Sequence, residues 1–420
     1  MDKERSANLK ISPIRASLSS CGGLLQAVWV GFAFFYASEA AQALGLVGAI
    51  LTSSIGGILT AAAVPAIYLA VNRTRSRLWG RYHFTLAIAV LVASLMCAAL
   101  FSSQGAASKA ARIISACIVL PLFVSSVSLT AYVGASISNR LAADDGRSGR
   151  RKAVCNMIGL LIGVALCALP FAGLQPDSIG YALAALIIVS GGVVYFASVD
   201  CLPRFVRPLQ KKPTFSAVKE EFFKKPKKSS ALVGAAYFLL AVSAVLSVSF
   251  ITTATKIYGT YEWLSLVCLA SAIVVGICFY ALAFKKRMGK IAAIVGASLS
   301  AVSAAVMLFV LRFASLPPIG VTVIVAASFV LSGIGGGLSL AGARNSAAKF
   351  ANGYTAGAAY SLETMLLIVA TAAAVSAASA LSVLTRTADI VYASVIGAAC
   401  VAAAVFVGFA YGAKAKEEAQ

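Results

Sequence analysis

One carboxylate stands apart in this chain. Of fourteen acidic residues, thirteen lie in the tails, in polar joints or near the ends of apolar runs, and the exception is Glu363. It falls about ten residues into the apolar run 353–382. That is roughly 15 Å along a helix rising about 1.5 Å per residue, close to the middle of a bilayer. Ionisable groups at such depth are costly and usually functional. Glu363 therefore offers two kinds of chemistry: binding a solute, or taking up and releasing a proton as its surroundings change. The competing reading is a protonated glutamic acid that hydrogen-bonds a neighbouring helix as structural glue.

Helical spacing gives Glu363 company. Tyr360, Thr364 and Thr371 share its side of the helix at about 100° per residue. In the run 112–138, Ser125, Ser128, Tyr132 and Ser136 recur at i, i+3, i+7 and i+11. In the run 21–44, Gln26, Trp29 and Tyr36 share one side. Polar stripes on three runs suit an aqueous cavity between helices. Packing hydrogen bonds are the alternative for the serines, and apolar packing for Trp29 and Tyr36.

Other chemistry is hard to build from these residues. Gly333–Gly337, GIGGG, looks like a nucleotide loop but lies inside an apolar run without the strand that motif needs. Close helix packing or a hinge is the expected role. The single histidine, His83, cannot form a metal cluster. Nine cysteines form no CxxC pair and read as small buried hydrophobes. No catalytic nucleophile or metal set is recognised. The chain is read as a non-enzyme that needs no cofactor.

The elements that must carry these residues are membrane helices. The chain is 60% hydrophobic and only 12% charged, against about 25% for soluble domains. Apolar runs of bilayer length fall near 21–44, 46–71, 84–103, 112–138, 153–174, 179–200, 230–256, 262–284, 290–312, 317–341, 353–382 and 388–412. They are continuous rather than alternating, so they read as helices. The first twenty residues lack an apolar core and a cleavage site, so no removable signal peptide is expected.

Lysine and arginine order the twelve spans. Thirty fall in the two tails and the joints of one face, and five fall on the other. The positive-inside rule then predicts both termini in the cytoplasm and an even number of spans. The net charge of +21 is spread over short joints, which argues against nucleic acid. The basic joint 201–229 divides the chain into a first half, 1–200, and a second half, 230–420. Its segment KEEFFKKPKKSS is either a plain linker or a short amphipathic helix on the anionic inner leaflet. Joints 2–3, RLWGRYH, and 8–9, KRMGKIA, each place a basic residue, a glycine and another basic residue between the second and third span of a half.

Twelve spans in six plus six, with basic glycine-containing joints after spans 2 and 8, resemble the major facilitator superfamily. Within it, Val71–Arg81, VNRTRSRLWGR, and Ala359–Met365, AYSLETM, resemble the melibiose permease branch of cation symporters. The resemblance implies an all-α integral membrane protein of two pseudo-symmetric six-helix bundles. It implies that the segment around Glu363 faces a central cavity. It also implies that Arg73, Arg75, Arg77, Gly80 and Arg81 form a cytoplasmic gating loop; membrane anchoring is the simpler reading of those arginines. That family typically uses aspartates in spans 1, 2 and 4. Here span 2 has no ionisable residue, and span 4 has Ser125, Ser128 and Tyr132. A proton is therefore favoured over sodium as coupling ion.

The expected function is secondary transport of a small solute across the cytoplasmic membrane, by a multi-pass monomer in contact with anionic lipid. Two alternatives stay open: a carrier of lipids or amphiphiles, and a membrane sensor or assembly partner on a degenerate carrier fold.

Overall fold

The computed structural model describes residues 13–25, 27–28, 65–66, 69–70, 82–106, 108–141, 148–167, 176–198, 214, 216, 220, 228–258, 262–286, 288–313, 317–350, 365–366, 369–370, 373 and 388–419. All regular structure among them is helical. Helix α1 spans Pro13–Leu18 and runs into a 3₁₀ segment, Ser19–Leu25. Then follow α2 (His83–Ala106), α3 (Lys109–Ile114), α4 (Leu120–Leu141), α5 (Ser148–Cys167) and α6 (Pro176–Ser198). The rest are α7 (Lys228–Tyr258), α8 (Glu262–Lys285), α9 (Lys290–Phe313), α10 (Pro318–Phe350) and α11 (Ala388–Ala419).

Among the described residues, five helices are long and apolar enough to cross a membrane: α2, α6, α9, α10 and α11. Their outer faces are as apolar as their inner ones. In α2, Leu86, Ala93, Cys97 and Leu100 are buried, while Phe84, Ile88, Leu91 and Leu95 point outward. Ile319 is 80% exposed and Phe196 is 74% exposed. A helix that is hydrophobic all round belongs in lipid when its outer side meets no protein.

Several helices overrun the apolar stretches that announce them. Helix α10 continues to Phe350 and α11 to Ala419, so Arg344 and Lys414 lie on helices and not in a joint or tail. Hydropathy marks where lipid ends. A helix goes on as long as good helix formers such as Ala, Lys and Glu continue it. The run 112–138 is also not one uniform helix. A π-helical stretch, Ser115–Val119, separates α3 from α4, and the Leu120 amide donates to the Ser115 carbonyl, five residues back. Pro121 explains it. Proline has no amide hydrogen and its ring crowds the carbonyl four residues earlier, so a wider turn relieves the conflict.

Two sets of the described helices pack in the same pattern. In the first half, α2 packs on α6 and α4, and the 3₁₀ segment packs on α4, α5 and α6. In the second, α9 packs on α11 and α10, and α7 packs on α10 and α11. Each half has its own apolar cluster. One joins Leu25, Phe123, Tyr132, Ile137 and Leu183. The other joins Phe250, Phe329 and Tyr392, whose rings stack at 5.6 Å (Phe250–Tyr392) and meet edge-on at 6.2 Å (Phe250–Phe329). Helix α5 packs against α8 across the two halves.

Glycines let α10 sit deeply between two neighbours. A β-carbon at Gly276 of α8 would lie 2.8 Å from the Gly333 carbonyl oxygen, and one at Gly337 would strike the Gly276 carbonyl. Two residues on, the other face meets α9: a β-carbon at Gly335 would lie 2.6 Å from the Gly296 carbonyl oxygen, and one at Gly342 2.7 Å from that of Gly289. Backbones this close are the small-residue packing of membrane helices. Ser303 of α9 adds a hydrogen bond to the Ser328 carbonyl at 2.5 Å. At the far end of α11, Glu417 accepts hydrogen bonds from the Ser229 hydroxyl (2.8 Å) and amide (3.3 Å). A carboxylate there caps α7 and opposes its dipole, typically worth about 1 kcal/mol.

Candidate functional site

Of the polar stripes the sequence singles out, Ser125, Ser128 and Tyr132 are described; Ser125 is half-buried, and Ser128 and Tyr132 are buried, 5% and 7% exposed. They stand one turn apart on α4. Tyr132 shares a packed cluster with Leu25 and Val28, the residues that bracket Gln26 and lead to Trp29. The 3₁₀ segment at the start of span 1 packs against α4. Two neighbouring hydroxyls of α4 turn to their own helix. Ser126 donates to the Phe123 carbonyl at 3.0 Å, and Thr130 to the Ser126 carbonyl at 2.8 Å.

Glu363, Thr364, Tyr360, Gln26, Trp29 and the loop residues Arg73, Arg75, Arg77, Gly80 and Arg81 lie outside the described residues. Span 11 is described at a few positions beyond Glu363. Leu366 is half-buried, and its Cδ1 lies 3.8 Å from where a β-carbon at Gly234 would be. Gly234 is six residues, roughly 9 Å, into α7. Leu366 therefore meets α7 toward its Lys228 end.

The second basic joint, 8–9, is held by a polar cluster that the sequence alone does not reveal. Asn345 of α10 donates through Nδ2 to the Met288 carbonyl (3.1 Å) and the Ala283 carbonyl (3.4 Å), closing the joint between α8 and α9. Arg344 donates to the Tyr280 hydroxyl at 2.9 Å. Ser346 pairs with the Tyr411 hydroxyl at 3.0 Å, and Lys290 Nζ stands 5.8 Å from the centre of the Tyr411 ring. The glycine of the joint is explained here: a β-carbon at Gly289 would lie 2.6 Å from the Tyr411 hydroxyl. In the first half, the corresponding helix ends meet through His83 Nε2 and the Ser198 hydroxyl at 2.8 Å, with Tyr195 edge-on to His83 at 5.4 Å. In both cases the start of one helix, α2 or α9, is fastened to the end of another, α6 or α11. His83 takes part as a packing residue.

This geometry makes a testable statement. Gly289→Ala is expected to destabilise the protein by about 1 kcal/mol, because Tyr411 must leave Ser346 to make room. In a Tyr411→Phe background the hydroxyl is gone and the same substitution should cost less. Thermal unfolding of the two singles and the double reads the coupling. Additive effects would show that Tyr411 is not what Gly289 accommodates.

The cysteines depart in part from the expectation of small buried hydrophobes. Cys97, Cys268 and Cys400 fit it; Cys278 is exposed, and Cys21 and Cys155 are half-buried. Cys400 hydrogen-bonds Ser243 at 3.1 Å. Cys21 and Cys155, far apart in sequence, stand near enough to interact electrostatically. No trio of His, Cys, Asp or Glu placed to hold a metal occurs among the described residues.

No protein-family model and no curated protein sequence matches the chain. Solved structures do. A crystal structure of the nucleoside transporter NupG, in a single-residue mutant form, is similar with a TM-score of 0.65 at 15% identity, over 95% of this chain and 99% of that one. A second NupG structure is similar at 0.63 and 12% identity, over 96% and 99%. A bacterial homologue of the iron transporter ferroportin, outward-facing with soaked iron, is similar at 0.60 and 16% identity, over 94% and 99%. At these identities the likeness is one of fold: the chain shares the overall fold of these solved structures.

Proposed function

We propose that the chain is a secondary transporter that carries a small solute across the cytoplasmic membrane by alternating access. Two six-helix bundles, 1–200 and 230–420, rock about a site between them, and the basic joint 201–229 rests on anionic lipid. The observation that carries this reading is the whole-chain likeness to transporter structures, with 95% of this chain matched to 99% of NupG. The recurrence of one packing pattern in two sets of helices supports the two-bundle reading. Glu363, with Tyr360 and Thr364 beside it, is proposed as the coupling group for a proton. Gln26, Trp29, Ser128 and Tyr132 are proposed for the opposite wall.

Counterflow in proteoliposomes tests the proposal. Vesicles preloaded with one unlabelled solute are offered the same solute in labelled form. The panel holds nucleosides and ferrous iron, from the structural neighbours, and glycosides, from the melibiose-permease resemblance. Amino acids and carboxylates complete it. Transient accumulation of one class is the expected result. Protein-free rates for every solute, from protein that is folded and inserted, would remove the carrier reading.

A further inference from the structure

We infer that Cys21 and Cys155 form a dithiol modification site, which a peroxide converts to an intramolecular disulfide tying the start of span 1 to span 5. Their closeness follows from how the two segments pack. A β-carbon at Gly159 of α5 would lie 2.5 Å from the Gly23 carbonyl oxygen and 2.8 Å from Leu24 Cα. The backbones therefore touch at Gly159, where no side chain holds them apart. On α5, Cys155 precedes Gly159 by four residues, roughly 6 Å and about one turn. On the 3₁₀ segment, Cys21 precedes Leu24 by three residues, also roughly 6 Å and one turn. Sequence sidedness starts both spans at the cytoplasmic face, and two strips that touch at one point and run the same way bring residues one turn upstream together. The 3₁₀ segment and α5 pack along their lengths, and the two thiols interact electrostatically, in keeping with that placement.

The segment around Cys21 is also held from behind. A β-carbon at Gly22 would lie 3.8 Å from Val194 Cγ2 on α6, and Ser19 and Ser20 are buried. The thiol is thus fixed in a corner between α5 and α6 instead of swinging free. Neither cysteine is sealed off, since both are half-buried. Cys97, Cys268 and Cys400, by contrast, are buried.

The chemistry balances with hydrogen peroxide as oxidant. One thiolate attacks a peroxide oxygen, forming a sulfenic acid and releasing hydroxide. The neighbouring thiol then attacks that sulfur, forming the S–S bond and releasing water. Two electrons pass to the peroxide. A thiol reductant reverses the bond by exchange. The resolving thiol is already in place, so the sulfenic acid is captured before further oxidation. Sequence sidedness puts both cysteines at cytoplasmic ends of their spans, where reducing conditions keep the pair open until an oxidant arrives. The inference is independent of what the chain transports.

The test uses the full-length protein in lipid nanodiscs. Hydrogen peroxide is raised until an added water-soluble cysteine peptide is fully oxidised, remaining thiols are alkylated, and the digest is mapped without reduction. The expected result is one cross-linked peptide pair containing Cys21 and Cys155, with alkylation of both lost and then restored by reductant. Cys21→Ser and Cys155→Ser should each abolish the cross-link, and Cys278→Ser should leave it intact. Complete oxidation of the reference peptide with Cys21 and Cys155 still alkylated would overturn the inference, and the wild-type map alone decides this. A cross-link joining either cysteine to a different partner would overturn it as well.

Discussion

Gly337→Ala is expected to destabilise the protein by about 1–3 kcal/mol, and Gly337→Leu to leave no monodisperse protein in detergent. The added carbon meets the backbone of α8 at the Gly276 carbonyl. A side-chain neighbour can change rotamer, but a helix backbone moves only as a whole. Moving α8 outward also opens its contact with Gly333, whose carbonyl would stand 2.8 Å from a β-carbon at Gly276. The nearest glycine provides the control. A β-carbon at Gly336 meets nothing within 4 Å. Gly336→Ala should therefore be neutral or stabilising by up to about 1 kcal/mol, from helix propensity. The two variants differ in position by one residue and in nothing chemical. Thermal unfolding and size-exclusion profiles of both read the difference. Equal effects would mean that α10 does not approach α8 as closely as these contacts require.

That contrast also shows what the sequence could convey. The GIGGG stretch sits in an apolar run without a preceding strand, which is enough to reject a nucleotide loop and expect packing. Which glycines pack is decided by the rotation of α10 between α8 and α9, and rotation is not encoded in hydropathy. The apolar runs behind α2, α6, α9, α10 and α11 were legible because lipid demands length and continuity. The helix ends were not, because Ala- and Lys-rich segments carry a helix past the lipid boundary. The π-helical stretch left one visible trace, Pro121, but a proline does not say whether a helix kinks, breaks or widens. For the candidate site, the period of the span 4 hydroxyls pointed to Ser128 and Tyr132, both of which the fold buries. The cluster of Asn345, Ser346, Tyr411 and Lys290 could not be read in advance. Its members come from distant parts of the chain, and only Gly289 hinted at a close approach. The Cys21–Cys155 pair is the same kind of omission, since spacing along the chain says nothing of two thiols on different helices.

Glu363→Gln is expected to abolish solute accumulation driven by a proton gradient while leaving exchange intact. The proposal gives Glu363 one task, to carry a proton with the solute. A carrier that moves one proton per solute can support about tenfold accumulation for each pH unit across the membrane, since one unit is worth about 1.36 kcal/mol. Glutamine has the shape and hydrogen-bonding groups of the neutral carboxylic acid but cannot release a proton. The variant should therefore complete solute-loaded steps and run counterflow near the wild-type rate. With acid outside, its accumulation ratio should stay at one, where the wild type rises with the gradient. Glu363→Asp keeps the titrating group on a shorter stem and should retain part of the gradient response. A purely structural glutamic acid gives a different pattern: Gln would preserve both activities, because it still hydrogen-bonds its neighbour. Gradient-driven accumulation that survives in Glu363→Gln would therefore remove this residue from coupling and leave the transporter fold without an assigned proton site.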